Sequence, residues 1–332
     1  MNHSIHRSIH RVSVVIVTYR SRSTIAAALA PLEQAVRHNT IECIIVDNAS
    51  GDGTADFVAT HYPWVRLIRS TENLGFGRGC NAGFAAATSD YVLFLNPDAV
   101  IEPAAMQSLV DVLAANPDAA AVGPATLVGP ASAAAISEAK CADGNRPLQM
   151  AGMLPTPRSL IASALNRPNA FPARRAILPG EAPFQTNWIC GAIMMFRADA
   201  FRALGGFDPR FFLYFEETDL CLRAARAGYE LWATGTATAR HICGVSARAS
   251  GEMVESGCIA EHFYRSRAYY LSRNFGRVAA SATEGSLAAI LGVRRVIKHL
   301  LGRRGGAGIH DQGPPSTAAA AEPAHERWQP VG

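Results

Sequence analysis

Three early segments are almost uninterruptedly apolar: Val12–Tyr19 (VSVVIVTY), Ile41–Asp47 (IECIIVD) and Tyr91–Leu95 (YVLFL). Short β-branched and aromatic runs of this kind read as strands buried on both faces, as in a parallel sheet covered by helices. Helical stretches separate them at Ser23–Arg37, Thr54–Thr60 and Arg78–Thr88. A further one, Pro103–Ala115, opens on proline, which suits a first helical turn. The alternation predicts an α/β fold, an open and mostly parallel sheet with helices on both faces. Ligands of such sheets sit beyond the carboxyl ends of the strands. Thr18, Asp47, Asn96 and Asp98 stand at those ends.

From Gly123 to Gln185 the pattern dissolves into Pro, Gly, Ala and Arg, which predicts an irregular excursion shaping one side of a cleft. Order returns at Asn187–Arg197, followed by helices near Asp199–Leu204 and Thr218–Ala227 and short strands near Glu230–Thr234 and Ala237–Ile242. Beyond Ser246 the chain reads as helical, at about Ala260–Arg273 and Leu287–Leu301. The expected division is an α/β domain over 12–246, a helical extension over 247–304 and a disordered Gly/Pro/Ala tail over 305–332.

Charge and cysteines narrow the classes. A net charge of +4 in 332 residues is too small to suggest nucleic-acid binding. Seven scattered cysteines without a C-x-x-C pair argue against a structural zinc site or a disulfide framework, and for a reducing cytoplasm. The polar start has no apolar core of a secretory signal. The apolar stretch Ala279–Val293 is short and broken by Glu284. The chain is expected to be soluble or peripheral. Arg294, Arg295, Lys298, Arg303 and Arg304, alongside Ile290, Leu291, Val293, Ile297, Leu300 and Leu301, make a basic amphipathic end suited to anionic lipid or to a solvated helix face.

Five motifs carry candidate chemistry. Gly75 to Gly83 contains a near match to the dinucleotide fingerprint, but it follows the linker Ser70–Leu74 rather than a tight strand-to-helix turn. An NAD-dependent oxidoreductase is therefore disfavoured. Asp47, after a buried strand, needs a donor, which a base or sugar N–H or O–H would supply, whereas Asp52 to Thr54 read as a turn and helix cap. Asn96-Pro97-Asp98 is either an Asn-Pro turn or a carboxylate placed to hold a divalent metal on a diphosphate. Glu216, Glu217 and Asp219 at a helix start either complement its dipole or supply a general base. His241 ends a predicted strand.

Taken in order, VSVVIVTYRS, IIVDNASGDGT, NLGFGRGCNAGF, YVLFLNPDA, WICGAIMMFR, GGFDPRFFLYFEETDLCLRAARAGY and the His241 segment resemble family 2 glycosyltransferases, in particular their rhamnosyltransferase-like branch. The resemblance runs from Val12 to about Ser246, most of the chain. It implies the glycosyltransferase A (GT-A) fold and an inverting transfer from a nucleotide-diphosphate sugar, with L-rhamnose from dTDP-rhamnose indicated by the branch. The implied acceptor is a glycan or lipid-linked molecule of bacterial cell-surface polysaccharide or glycolipid synthesis. A UDP-sugar donor, or a catalytically weak sugar-nucleotide-binding protein, is the alternative. Carried over by position, the resemblance implies nucleotide-sugar contacts at Thr18, Tyr19, Asp47, Asn73, Gly75, Phe76, Asn81 and Asn96. It implies Mg²⁺ or Mn²⁺ at Asp98 and His241, Glu217 as catalytic base, and an acceptor side at Trp188, Gly191, Glu216 and Asp219, with the tryptophan face available to a sugar ring. Two positions depart from the family pattern: Asn96 stands where aspartate is common, and Glu217 where the base is usually aspartate.

Overall fold

The computed structural model describes residues 12–128, 147–166, 174–241 and 258–300. A nine-stranded sheet forms the centre. Strands β1 (Val12–Thr18), β2 (Ile41–Asp47), β3 (Arg66–Arg69) and β4 (Tyr91–Leu95) are parallel, in the order β3-β2-β1-β4. Beside β4 runs β11 (Ile193–Arg197), antiparallel to both β4 and β6 (Ala119–Val128). Then come β12 (Glu230–His241), parallel to β6, and at its margins β5 (Ala99–Ile101) and β9 (Phe184–Thr186), both antiparallel. Thus β1 to β4, β6 and β12 point one way, and the sheet is mostly parallel in direction. A separate three-stranded sheet joins β10 (Trp188–Ile189), β7 (Gln149–Gly152) and β8 (Arg174–Ala176).

The continuous apolar runs divide by alternation. Val12, Val14 and Ile16 of β1 enter one core, whereas Val15 and Val17 enter the other; Ile41, Cys43 and Ile45 of β2 alternate likewise with Ile44 and Val46. The first core is closed by α1 (Ile25–Leu29), α2 (Glu33–Arg37), α3 (Thr54–His61) and α5 (Pro103–Ala115). The second is closed by α4 (Phe76–Ala85), α7 (Ala198–Ala203) and α8 (Glu216–Arg226). Each fully buried Val, Ile, Leu or Phe contributes about 1.5–3 kcal/mol, and the β1–β2–β4 triplet is buried in this way along nearly its whole length. It is also the part that carries Thr18, Asp47 and Asn96 at its end.

A third core joins α6 (Pro157–Asn166), α9 (Cys258–Phe275) and α10 (Arg277–Leu300) to Phe211 and Phe215, just before α8. The C-terminal helices thereby brace the turn that leads into α8. Ser266 donates to the Leu213 carbonyl at 2.8 Å, and Arg273 and Asn274 reach Asp219 inside α8.

Several elements differ from expectation. The single helix expected over Ser23–Arg37 is two, α1 and α2, because Pro31 lies between them and has no N–H to continue the ladder. β3 has only four residues and an exposed-to-half-buried pattern, too short for a periodic signal. β6 runs into the irregular excursion despite Gly123 and Pro124, held between β11 and β12. The two short strands expected after Glu230 are one, β12, with an irregularity between Thr234 and Thr238. The helix expected from Arg78 begins at Phe76, and the one expected from Leu287 begins at Arg277. The 305–332 tail lies outside the described residues.

Candidate active site

The β1 and β2 ends are tied together by hydrogen bonds to Asp47. Asp47, 4 % exposed, accepts from Thr18 Oγ1 at 2.9 Å and from the Ser50 backbone N–H at 3.1 Å, and Ser50 Oγ also donates to it. The donor that the sequence requires for this carboxylate is therefore supplied from within the protein. A carboxylate has about four acceptor positions, so room for one further donor remains. Tyr19, half-buried beside it, has the Arg20 guanidinium over its ring at 5.3 Å.

The glycine-rich segment is built for close approach. Gly75 caps α4 with φ +78°, where L side chains are strained, and a Cβ there would collide with the Phe212 carbonyl. Asn73 Oδ1 accepts from the Gly75 N–H at 3.0 Å, and the Phe76 N–H donates to that same Phe212 carbonyl at 2.9 Å. Asn81, half-buried, donates to the Phe207 carbonyl at 2.7 Å and accepts from the Phe207 N–H at 2.9 Å, which leaves one amide N–H beyond these two bonds. The pair of bonds clasps α4 to the residue after the Gly205-Gly206 turn.

At the β4 and β12 ends the chain brings distant residues together. His241 Nε2 lies 3.0 Å from Asp98 Oδ1, and the Asn96 amide nitrogen lies 3.4 Å from the same imidazole nitrogen. Asp98 is buried. β12 delivers His241 through its pairing with β5 at Ala99, one residue past Asp98. Among the described residues no three His, Cys, Asp or Glu side chains converge as a metal cage. The set is one carboxylate and one imidazole in contact, with a neutral amide adjacent. Such a donor pair fits Mg²⁺ or Mn²⁺ only if a ligand diphosphate and water complete the shell.

Two consecutive residues with left-handed backbone, Tyr214 and Phe215 (each φ +68°), turn the chain into α8. Such non-glycine conformations cost about 1–3 kcal/mol each, offset here by Phe215 packed in the third core. The turn presents Glu217, half-buried, whose Oε1 accepts from Thr218 Oγ1 at 3.1 Å; that hydroxyl in turn accepts from Trp188 Nε1 at 3.0 Å. Gly191 faces Glu217: a Cβ there would meet Glu217 Cβ at 3.2 Å and Cγ at 3.3 Å.

Three of the residues expected on the acceptor side are buried and held by other parts of the protein. Trp188 is 1 % exposed and covered by the Arg174 guanidinium, 3.6 Å from its ring, so its face is closed to a sugar; its work is to orient Thr218. Asp219 has no exposure and is held by Arg223 at 2.7 Å and Arg273 at 3.1 Å, which makes it a brace between α8 and α9. Glu216 is buried against Gly77 of α4, with Oε2 lacking a hydrogen-bond partner. Burial first, and then the neighbouring Glu217 carboxylate, push the Glu216 carboxyl well above the ordinary carboxylate range. Arg174, Thr218 and Ser50 were not singled out from sequence. Arg174 lies in the irregular stretch, where no periodicity marks it.

The raised Glu216 carboxyl gives a stability signature. The folded state holds this proton to higher pH than the unfolded chain, whose carboxyl titrates near about 4.3. Stability is therefore lost as pH rises above that value. Glu216→Gln mimics the protonated form, so its melting temperature should gain on the wild type as pH rises from about 5 to 9 and match it near about pH 4. Parallel melting curves that show no widening gap would remove this reading.

Comparison with known proteins bears on the family and the fold. The model of Glycosyl transferase family 2 matches residues 13–135. An N-acetylglucosaminyl-diphospho-decaprenol L-rhamnosyltransferase of Mycobacterium tuberculosis is 30% identical over 228 residues, spanning 65% of this chain and 71% of the relative. A dolichol-phosphate mannosyltransferase of Pyrococcus furiosus is 27% identical over 33% of this chain and 32% of its own. Among solved structures, GalNAc-T7 with UDP, GalNAc and Mn²⁺ superposes with a TM-score of 0.56 at 15% identity, covering 82% of this chain but only 52% of that one, a likeness of fold. A sheet whose strand ends gather these side chains, and a relative matched over most of its length, lead to one assignment: the chain belongs to the family 2 glycosyltransferases, is rhamnosyltransferase-like, and has the GT-A fold.

Proposed function

We propose that this glycosyltransferase moves L-rhamnose from dTDP-rhamnose to an N-acetylglucosaminyl diphospho-lipid, with inversion, in bacterial cell-envelope polysaccharide synthesis. The observation that carries the reading is the match to the mycobacterial rhamnosyltransferase over 71% of that protein's length. Residues 12–246 are the catalytic unit in this reading, and 247–304 its helical brace. Glu217, held by Thr218 and facing Gly191, takes the proton of the acceptor hydroxyl as its oxygen bonds to the anomeric carbon and the bond to the nucleoside diphosphate breaks. Asp47, Thr18 and Tyr19 hold the nucleotide, and Asn73, Gly75 and Phe76 form the loop beside the sugar. Asp98 and His241, with Asn96 adjacent, would hold Mg²⁺ or Mn²⁺, which when bound supplies positive charge to the leaving diphosphate. A panel of nucleotide sugars offered with N-acetylglucosaminyl diphosphate on a short alkyl chain tests this. Transfer from dTDP-rhamnose with inverted configuration is expected; transfer from UDP-sugars alone overturns the donor. Donor binding without turnover would favour a sugar-nucleotide-binding protein.

The acceptor class also bears on where the protein works. No helix among the described residues is long and apolar enough to cross a membrane. The end of α10 instead exposes Val293, Val296 and Ile297 at 49–59 %, on one side of the helix, and Arg294 reaches the carbonyl of the equally exposed Leu165 in α6. Arg294 and Arg295 follow on the flank, and no acid occurs between Gly285 and His310. In this reading the end docks on anionic lipid at the cytoplasmic face. Flotation with anionic vesicles at low salt, lost at high salt, is the expected result. No binding at low salt would refute it.

A further inference from the structure

The starts of α4 and α8 are packed on each other. A Cβ at Gly77 would lie 3.4 Å from Glu216 Cβ and 3.1 Å from Phe207 Cβ. Residues 207–215 run between these two helix starts and are gripped from both sides. On the α4 side, Asn81 bonds both backbone groups of Phe207, and the Phe76 N–H donates to the Phe212 carbonyl. On the other side α9 offers residues of a single helical stripe. His262 stacks on the Phe212 ring at 4.5 Å, Tyr269 meets Phe211 edge-on at 4.8 Å, and Tyr270 meets Phe215 at 5.5 Å. Arg273 closes the loop, bridging Asp208 at 3.0 Å on one side of the segment and Asp219 at 3.1 Å on the other.

One hydrogen bond in this grip departs from helical habit. A serine or threonine inside a helix commonly bonds the carbonyl four residues back. Ser108 in α5 does so to Ala104, and Thr283 and Ser286 in α10 do so to Ala279 and Ala282. Ser266 in α9, 5 % exposed, instead crosses to the Leu213 carbonyl at 2.8 Å. Leu213 belongs to no helix or strand and is the last residue before the left-handed pair Tyr214 and Phe215. Backbone in that region persists only where its surroundings over-determine it. Successive carbonyls of this segment thus have different destinations: Phe212 serves the Gly75–Phe76 loop, and Leu213 serves α9.

We propose that Ser266 is a positioning residue for Glu217. By holding the Leu213 carbonyl it steadies the turn on which Glu217 stands, and so sets how far that carboxylate lies from the Gly75–Phe76 loop. This rests on the reading above, with Glu217 as base and the loop beside the donor sugar. The effect belongs in kcat, because a misplacement of about 1 Å between reacting groups can cost about 100-fold. The residues proposed to hold the nucleotide lie instead at the ends of β1 and β2.

Kinetics of the full chain test this, using the nucleotide sugar that the panel above shows to be transferred fastest and N-acetylglucosaminyl diphosphate on a short alkyl chain. Ser266→Ala should lower kcat by about 5- to 100-fold, with donor affinity by calorimetry and the acceptor KM within about twofold of wild type. Ser266→Cys, which keeps a weaker donor, should fall between. Thr283→Ala removes a buried hydroxyl from the same helical extension without touching the turn, and should leave kcat within about twofold. The decisive readout is the double variant. Residues that act as a unit are non-additive, so adding Ser266→Ala to Glu217→Gln should lower kcat by less than about threefold further. A full multiplicative loss in the double variant overturns the proposal. So does a Ser266→Ala protein with wild-type kcat, or one whose loss Thr283→Ala reproduces, since stability alone would then explain it. These outcomes leave the base in place. Wild-type turnover by Glu217→Gln, or no transfer from any donor, removes the base itself and the role of Ser266 with it.

Discussion

Glu217→Gln is expected to lower kcat by about 10²- to 10⁴-fold while donor binding stays within about twofold of wild type. The substitution keeps length and most polarity, and Gln Oε1 can still accept from Thr218, so the 3.1 Å contact that orients the side chain is retained. What is lost is the capacity to accept the acceptor's proton. The measurement is product formation at saturating donor and acceptor, beside calorimetric titration of donor. Near wild-type turnover would exclude Glu217 as the base. Asp219 is no substitute, because Arg223, Arg273 and Asn274 already hold its carboxylate and it has no exposure. Glu217→Asp should be the informative partner. It moves the carboxylate back by about a bond length, away from Thr218, where near-attack distances are about 3–3.5 Å. Gly191, packed closely on the Glu217 side chain, has no side chain of its own to offer the shorter residue a new contact.

The difference between Glu217 and Asp219 shows how far the sequence could be read. Both acids stand in one motif at a helix start, and the motif alone distinguishes them only through family resemblance. The structure distinguishes them by what crosses from α9: Arg273 and Asn274 lie more than fifty residues away in sequence and carry no local signal of their target. The same holds for Trp188. Its position in an apolar run was legible, but the guanidinium that covers it comes from Arg174, in a stretch without periodicity. The legible parts were those whose physics is local. The β1, β2 and β4 runs are continuous because helices cover both faces of the sheet, and their burial in two separate cores is the reason. β2, β4 and α5 begin and end where the pattern places them. Local reading failed where tertiary partners decide. β6 keeps a strand through Gly123 and Pro124 because β11 and β12 flank it. Asn81, placed by resemblance beside the sugar, also bonds a backbone segment 126 residues further on, a partner that no local pattern announces.

Asp98→Ala is expected to abolish measurable turnover and to weaken metal-dependent donor binding by more than about 100-fold. Losing an outer-shell partner alone typically costs about 10- to 100-fold in metal affinity, and here the only carboxylate of the pair is removed. His241→Ala should impair the same step less, since a water can take the place of an imidazole but cannot replace a negative charge. The contact between the two residues sets the control. His241 Nε2 and Asp98 Oδ1 are 3.0 Å apart, so either substitution leaves its partner in a largely buried place without that contact. A modest loss of thermal stability is therefore expected in both variants without metal, and it should be similar in size. The metal-linked effect is read separately, by titrating donor with Mn²⁺ present and again after chelation. In the wild type, chelation should remove most donor affinity; in Asp98→Ala it should change little, because the metal contribution is already absent. Equal donor affinity in wild type and Asp98→Ala with Mn²⁺ present would exclude Asp98 as a ligand. A donor affinity in the wild type that chelation leaves untouched would go further: the Asp98–His241 contact would then be a hydrogen bond joining the ends of β4 and β12, and the charge on the leaving diphosphate would have to be met by protein donors alone.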